Sequence, residues 1–148
     1  MKGRSVTTES GTVVDHIPCW QAPALLEVLK LKELAPRTIL LLGQTSKTLR
    51  AKDLVVFQGW GPTLLDEQKI ALLAPGATIN RLEDGEIVKK YAPRLPELVE
   101  QLVVCTNSRC ITNAEDVPHR ARTDEKKPSS LQCYYCDHKF SALEAKFL

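Results

Sequence analysis

The sequence predicts an α+β fold in two parts, a mixed domain followed by a small cysteine-rich one. In the first part, β-branched runs bounded by glycine or proline alternate with two stretches of helical periodicity. In the second part, residues 105–148 hold four of the five cysteines in two close pairs. Few large apolar side chains accompany these cysteines, so a core this small needs a crosslink or a metal ion to be stable.

The first elements follow from local pattern and turn chemistry. β-Branched residues between Gly11 and Pro18 predict a strand, and the spacing of Leu25, Leu26 and Leu29 predicts a helix. An apolar run then predicts a second strand, which is followed by a polar loop. The predicted bounds are strand 11–17, helix 23–32, strand 37–42 and loop 43–48.

The remaining elements of the first part repeat this order. An apolar run predicts a strand over 53–57, and Thr63 suits the cap of a helix that begins at 64 or 66 and ends at 73. Asp84-Gly85 is a two-residue hairpin signal between strands at 77–82 and 86–91. This βαββαβ order, with one extra hairpin strand, predicts a ferredoxin-like sandwich in which two helices cover one face of a sheet.

Prolines mark the boundary between the two parts. Pro93 and Pro96 lie among polar residues, so we expect one domain at 1–97 and a second at 98–148. A short helix within 95–102 is expected to connect them. Residues 115–130 carry mixed charges and predict an exposed loop. Strands at 131–132 and 138–140 are expected to flank the second cysteine pair.

The spacing of the cysteines is typical of a tetrahedral metal site. Cys105 and Cys110 are separated by four residues, and Cys133 and Cys136 by two. Each close pair can turn two sulfurs toward one point, and four thiolates often hold structural zinc. We therefore predict one structural zinc ion per chain, bound in a small β domain. Its four thiolate ligands leave no open coordination position for catalysis.

Two disulfides, an iron–sulfur centre or unliganded cysteines are the alternatives to zinc. The start of the chain lacks the apolar segment of a signal peptide, which indicates a cytoplasmic protein with reduced thiols and favours the metal. Because four thiolates close the site, His119 and His138 are expected at the surface. Cys19 is expected to be a small packing residue.

The composition excludes some partners. The chain has 43% hydrophobic and 26% charged residues, and its formal net charge is +2. That charge is too small to indicate nucleic-acid binding by bulk electrostatics. No apolar run approaches the roughly 20 residues of a membrane helix, so we expect neither nucleic acid nor a membrane as a partner.

The sequence shows no catalytic constellation. A nucleophile–base pair, a carboxylate dyad and an open metal site are all missing from the pattern, which favours binding or regulation. Asp15 and His16, at the end of the first strand, form either a strand-end ion pair or a ligand contact. The pattern leaves both interpretations open.

Five motifs occur in a fixed order along residues 11–140. They are Gly-Thr-Val-Val-Asp-His-Ile-Pro at 11–18, Lys-Asp-Leu at 52–54, Ala-Thr-Ile-Asn-Arg at 77–81, Cys-x-Asn-Ser-x-Cys-Ile at 105–111 and Cys-x-Tyr-Cys at 133–136. In these motifs the chain resembles the regulatory chain of aspartate carbamoyltransferase. The resemblance implies a ferredoxin-like allosteric domain and a zinc domain, without catalytic activity. It also implies a homodimer that binds CTP, UTP or ATP and bridges trimers of the catalytic chain of pyrimidine biosynthesis.

The resemblance also implies two sets of site residues. Lysine and histidine would offer positive charge to a triphosphate, aspartate and asparagine would read ribose or base edges, and isoleucine would pack on the base. The nucleotide set is Asp15, His16, Lys52, Asn80, Ile87 and Lys90. Asn107, Tyr135 and Asp137 would lie near the interface with the catalytic chain.

Two departures from the family predict a weakened or altered nucleotide response. Val56 stands where the family commonly has a lysine that contacts the base, and valine donates no hydrogen bond. The arm before Gly11 carries Thr7, Thr8 and Glu9 in place of a more apolar pattern. The structural role and the contact with the catalytic chain are expected to persist.

Two other functions remain alternatives. A zinc-ribbon adaptor could bind nucleic acid, since basic residues cluster in the second part among offsetting acidic ones. The other alternative is a small ferredoxin-like enzyme with structural zinc. It would need a pocket with titratable groups of perturbed pKa, for which Asp15 and His16 are the candidates. The basic cluster is Arg109, Arg120, Arg122, Lys126 and Lys127.

Overall fold

The structure is a computed structural model that describes residues 10–32, 34, 36–45, 47 and 50–148. It confirms the predicted α+β class and the strand–helix–strand–strand–helix–strand order of the first part. The elements of this part are β1 Gly11–Pro18, α1 Ala22–Leu29, β2 Arg37–Thr45, β3 Ala51–Gln58, α2 Leu64–Leu73, β4 Thr78–Glu83 and β5 Glu86–Tyr91.

The strands of the first part form one antiparallel sheet in the order β2-β3-β1-β4-β5. Side chains alternate between the two faces of a strand. Val14, Phe57 and Ile79 point to the helix side, where they share a buried core with Leu25 and Ile70. Neither helix of the described residues covers the opposite face, which carries the other half of each strand's side chains.

The N-termini of the two helices are capped in different ways. At α2, the hydroxyl oxygen of Thr63 accepts from the backbone N–H of Asp66, whose carboxylate accepts from the N–H of Thr63. This is a capping box, and it confirms the predicted cap. At α1, the capping acceptor comes from β3. The fully buried carboxylate of Asp53 accepts from the N–H of Ala22 at 3.0 Å and from that of Gly43 at 3.0 Å.

The second part consists of short strands. The structure describes all of its residues, and none of them lies in an α-helix. Its strands form a sheet in the order β10-β9-β8-β6 and a separate β11-β7 pair. The strands are β6 Leu98–Glu100, β7 Val103–Val104, β8 Arg120–Thr123, β9 Ser130–Cys133, β10 Lys139–Ser141 and β11 Lys146–Phe147, with a 3₁₀ turn at Ile111–Asn113.

The structure corrects several predictions of local structure. No helix forms within 95–102, because Val99 pairs with Ala121 and both side chains are buried. For the same reason β8 lies inside the segment predicted as a loop. Strand β2 continues to Thr45, past the predicted loop start, through a change of register after Leu41. Helix α1 ends at Leu29, short of residue 32.

The side chain of Cys19 is exposed and does not pack in the core, contrary to the prediction. The strands predicted beside the second cysteine pair are confirmed as β9 and β10. The predicted domain boundary between residues 97 and 98 stays a prediction. None of the helices in the described part of the chain is long and apolar enough to cross a membrane.

The two parts share contacts. Their buried apolar residues form one continuous cluster, to which Leu72 of α2 and Leu102 both belong. The hydroxyl of Ser129 donates to the carbonyl of Leu72 at 2.8 Å, and the ammonium of Lys30 donates to the carbonyl of Phe147 at 3.5 Å. A change in the packing of α1 or α2 can therefore reach the second part directly.

Candidate metal centre and nucleotide site

The four paired cysteines meet at one point. Their sulfur atoms all lie within 4.8 Å of one another. Across the two pairs, Sγ of Cys105 lies 3.7 Å from Sγ of Cys136, and Sγ of Cys110 lies 3.6 Å from Sγ of Cys133. Zinc–sulfur bonds of 2.3 Å in a tetrahedron place the sulfurs about 3.8 Å apart, so the cluster has the dimensions of a zinc site.

Hydrogen-bond donors surround these sulfurs. The backbone N–H of Asn107 donates to Cys105 Sγ at 3.4 Å, and its side-chain amide donates to Cys136 Sγ at 3.5 Å. The hydroxyl of Thr112 donates to Cys110 Sγ at 3.2 Å. Donors of this kind orient metal-binding thiolates and stabilise their negative charge.

The acidities of the thiols differ. Burial raises the pKa of Cys105 to about 12. Burial also acts to raise the pKa of Cys136, but the Asn107 amide, the His138 backbone and the neighbouring thiols outweigh it and lower that pKa to about 7. A bound cation deprotonates a coordinating thiol outright. The donor set and its dimensions are consistent with structural zinc, which requires all four thiolates.

The two histidines predicted at the surface lie outside the cysteine cluster. His138 is exposed, and one of its ring nitrogens lies 2.9 Å from the hydroxyl of Thr106. His119 is half-buried, so it is less exposed than predicted. Its backbone N–H donates to the side-chain oxygen of Gln101 at 2.9 Å. Neither histidine is needed to complete four-coordinate geometry.

The predicted nucleotide residues lie on the sheet face opposite the helices. Val13 of β1 pairs with Val56 of β3 on one side and Asn80 of β4 on the other. Asn80 pairs in turn with Lys90 of β5. This row of neighbours crosses four strands, which brings residues distant in sequence together on one surface.

An ion pair occupies one end of this surface. The ammonium of Lys52 lies 2.8 Å from one carboxylate oxygen of Asp15 and 3.1 Å from the other. Burial acts to raise the pKa of Asp15. The hydrogen bonds from the Lys52 ammonium and the His16 backbone N–H, together with the positive charge of Lys52, outweigh burial, so the pKa of Asp15 is lowered. The ion pair at this strand end therefore joins Asp15 to Lys52 of β3 and not to His16, and the ligand contact that the sequence left open stays a prediction.

The backbone of His16 is unusual. Its φ is 59°, in the left-handed region that a histidine rarely adopts, and it lies at a bulge between Val14 and Ile17. The backbone N–H donates to Asp15 at 2.7 Å, and ring Nδ1 lies 3.1 Å from the hydroxyl of Thr78. The contact with Thr78 fixes the position of the ring, and contacts of this kind hold a strained backbone in place.

The other predicted nucleotide residues differ in exposure. The amide of Asn80 donates to the carbonyl of Val13 at 3.3 Å and is almost fully buried. Lys90 is exposed, and so is Ile87, with 60% of its surface accessible. Val56 is buried, with 2% accessible. The arm residues 7–9 lie outside the described residues.

The predicted interface residues cluster at the cysteine pairs. Asn107 supports two sulfurs, as above, and the hydroxyl of Tyr135 donates to the carbonyl of Pro118 at 2.6 Å. Asp137 is exposed and lies 3.4 Å from Arg122. Sequence reasoning missed the role of Asp53 in starting α1 and the contact between Tyr134 and two arginines. Only the Lys-Asp-Leu motif could have drawn attention to Asp53.

Comparison with known proteins supports the interpretation of both parts. Residues 6–94 match the family model for the aspartate carbamoyltransferase regulatory chain, allosteric domain. Residues 97–146 match the model for the metal binding domain of the same chain. The chain belongs to the aspartate carbamoyltransferase regulatory chain family. A regulatory chain is a non-catalytic subunit, and the four-cysteine cluster lies inside the matched metal binding domain.

Aspartate carbamoyltransferase regulatory chains from both archaea and bacteria are similar to this chain along most of its length. The protein from Methanococcus vannielii is 37% identical over 129 residues, which cover 87% of this chain and 86% of the relative. That from Enterobacter sp. (strain 638) is 40% identical over 134 residues, with 88% and 86% covered. That from Methanocaldococcus jannaschii is 34% identical over 137 residues, with 93% and 90% covered.

Proposed function

We propose that this chain binds nucleoside triphosphates on its first domain and transmits their effect to catalytic chains docked on its second domain. The observation that carries this proposal is the continuous core between the two family-matched parts. An effector changes a distant equilibrium only if it binds the two states with different affinity. A shared core gives the two domains a physical route for such coupling.

The zinc ion in this proposal is structural. Cys105, Cys110, Cys133 and Cys136 hold one ion per chain, and a fourth thiolate leaves no open position for substrate or water. Asn107 orients two of the sulfurs and lies at the surface with Tyr135 and Asp137, where the catalytic chain docks. The ion thereby shapes the docking surface without taking part in chemistry.

The nucleotide in this proposal lies on the helix-free face of the sheet. Lys90, His16 and Lys52 supply positive charge for a triphosphate, and Asp15 and Asn80 offer acceptors and donors to ribose or base. Ile87 supplies an exposed apolar surface for the base. The proposal is supported by the register that places Asn80 beside Lys90 and by the ion pair between Asp15 and Lys52.

Base discrimination is weakened or altered in this proposal. Val56 is an apolar side chain where the family commonly has a lysine, so it offers the base no hydrogen bond. Lys52 is already paired with Asp15, so a triphosphate has to compete for that ammonium. Calorimetric titration of the zinc-loaded chain with CTP, UTP and ATP tests this. Similar, weak affinities for the three are expected, whereas tight binding of CTP with strong base preference would disprove the altered response.

A second copy of the chain pairs with this one in the proposal. Strand β2 is an edge strand, bonded on one side to β3, and residues 38–42 carry no charge to protect that edge. The other edge, β5, carries Lys89 and Lys90. Ile39→Lys places a charge at an exposed position of β2 and is expected to convert dimers to monomers in light scattering. An unchanged dimer would place the contact elsewhere.

The docking proposal is tested by assembly. The chain is mixed with the catalytic trimer of the same organism, with and without a zinc chelator, and size is followed by light scattering. A large complex that dissociates when zinc is removed is expected. No complex in the presence of zinc would overturn the proposal.

A further inference from the structure

A cavity opens at the boundary between the two parts of the chain. Its volume is about 250 Å³, and it lies between the end of α2, the segment at residues 92–95 and the loop that follows β8. Ligand cavities occur preferentially at boundaries between domains, and those for drug-sized molecules measure about 300–1,000 Å³. The described residues that line this cavity include none of the proposed nucleotide, zinc or docking residues. It is therefore a separate site with room for a small molecule.

Small and apolar side chains create this space. Ala71 and Ala74 of α2 and Ala77 of the following turn are buried, and each places no more than a methyl group against the cavity. Pro93 and Leu95 also line it and are half-buried. A ligand with an apolar body would remove its own surface and this lining from water, which favours binding.

Hydrogen bonds hold the walls of the cavity in place. The hydroxyl of Ser129 donates to the carbonyl of Leu72 at 2.8 Å, which joins the loop before β9 to α2. The hydroxyl of Thr123 donates to the carbonyl of Pro96 at 2.8 Å, and its backbone N–H donates to the carbonyl of Glu97 at 2.9 Å. Because both sides are tied across the boundary, the cavity is formed before a ligand binds, and binding costs little reorganisation.

The charged side chains among the described lining residues are both acidic. Asp124 and Glu125 are exposed, and one oxygen of Asp124 accepts from the backbone N–H of Lys126 at 2.9 Å. The carboxylate of Glu125 makes no hydrogen bond or ion pair within the described part of the chain. Lys126 and Lys127 line a neighbouring depression and not this cavity. The chain has a net charge of +2, so this is a local concentration of negative charge.

We propose that the cavity binds a small organic ammonium ion, a primary amine with a short apolar body. The apolar body packs on the alanines of α2, and the ammonium donates charge-assisted hydrogen bonds to Asp124 and Glu125. A neutral molecule of the same shape lacks this attraction, and an anion is repelled. The occupant contacts both parts of the chain, so it ties the end of α2 to the loop after β8.

NMR titration of the zinc-loaded full-length chain tests the proposal, with phenethylamine as the ligand. Phenethyl alcohol and hydrocinnamate are its neutral and anionic counterparts and have the same apolar body. We expect saturable shifts at the backbone amides of residues 71–77 and 123–125. The affinity for the amine should exceed that for the alcohol about fivefold, since each exposed ion pair contributes little.

One variant removes the charge of the site. Asp124→Asn combined with Glu125→Gln keeps a side-chain oxygen for the N–H of Lys126 and should lower the affinity for the amine about fivefold. The matched control combines Glu115→Gln with Asp116→Asn, an equal charge change at exposed positions that do not line the cavity. This control should leave the affinity unchanged.

A second variant fills the space itself. Ala92 lines the cavity and is exposed, so Ala92→Phe places a ring there without disturbing the buried core. This variant should abolish the saturable shifts. Ala114→Phe adds the same ring at an exposed position outside the cavity and should retain them. Zinc content and thermal unfolding are measured for every variant.

The outcomes either support or overturn the inference. Saturable shifts at the cavity, preference for the amine and loss in the two cavity variants but not in their controls support it. Equal affinity for the amine, the alcohol and hydrocinnamate would overturn the cationic ligand. Shifts that do not saturate, that occur only elsewhere or that the controls lose equally would overturn the site. If a cavity variant unfolds or loses zinc, the preference of the wild-type chain among the three molecules still decides.

Discussion

At the scale of single residues, the surface proposed for nucleotides is organised by one ion pair. Asp15 receives hydrogen bonds from the Lys52 ammonium and the His16 N–H, and these hold its charge in a half-buried position. The Lys52 ammonium comes from the neighbouring strand β3, whereas the His16 N–H belongs to the peptide that directly follows Asp15. A triphosphate that draws Lys52 away would leave the carboxylate less compensated.

The pKa of Asp15 tests this arrangement. It is lowered in the native protein, so its contribution to stability is present above the unfolded pKa of about 3.9 and is lost as pH falls through the folded value. In Lys52→Met the hydrogen bond and the positive charge of Lys52 are lost while Asp15 stays partly buried, so we expect the pKa of Asp15 to rise. Carbon-13 NMR of the carboxyl group measures it. Lys90→Met is the matched control, and a rise as large in that variant would contradict the assignment.

At the scale of elements, helices and strands are tied by side chains from other elements. Asp53 of β3 satisfies the first turn of α1 and the bulge of β2 at once. Tyr91 at the end of β5 donates its hydroxyl to Glu67 of α2 at 2.6 Å. Strands that carry proposed nucleotide residues are therefore bonded to both helices, and α2 in turn contacts the second part through Leu72.

The Tyr91–Glu67 bond predicts a titration at high pH. Burial, with the hydrogen bond and charge of Glu67, raises the pKa of Tyr91 to about 12. The neutral hydroxyl contributes stability that is complete below the ordinary pKa of about 10 and is lost as pH rises through the folded value. Glu67→Gln should lower this pKa while burial keeps it above 10. Absorbance at 295 nm, with Tyr91→Phe subtracted, measures it, and an unchanged midpoint would show that Glu67 has no influence.

At the scale of the whole molecule, a metal centre holds the second part. Its sheets are short, and the cysteines bridge the end of β7, the 3₁₀ turn and both ends of the turn between β9 and β10. Structural zinc in small domains contributes roughly 10–16 kcal/mol of apparent binding free energy. The stability of the second part, and of the surface it shares with α2, therefore depends on the ion.

Removal of a zinc ligand tests this dependence. Cys133→Ser should release zinc, expose the second part to proteolysis and lower the unfolding temperature, whereas the exposed Cys19→Ser should change none of these. The affinity for zinc should also decrease as the pH is lowered, because protons compete with the metal for the thiolates. Atomic absorption and limited proteolysis measure the two effects. A Cys133→Ser chain that retains zinc and resists protease would rule out the four-thiolate site.

Much of the fold could be predicted from local pattern. The order of elements, the cap at Thr63 and the Asp84-Gly85 hairpin depend on residues close in sequence, and all three were confirmed. The predictions failed where contacts between residues distant in sequence determine the local structure. The segment around Val99 has the length of a short helix, but its pairing with Ala121 makes it a strand. Cys19 has the character of a core residue and yet lies at the surface.

The sequence by itself determined the fold class and the four-cysteine cluster, because periodicity, turn chemistry and the spacing of close cysteine pairs act over a few residues. The tertiary structure alone decided that Lys52 neutralises Asp15, that Asp53 starts α1, and that two arginines flank Tyr134. Each of these depends on strand register, which joins residues far apart in the chain and which no local pattern specifies.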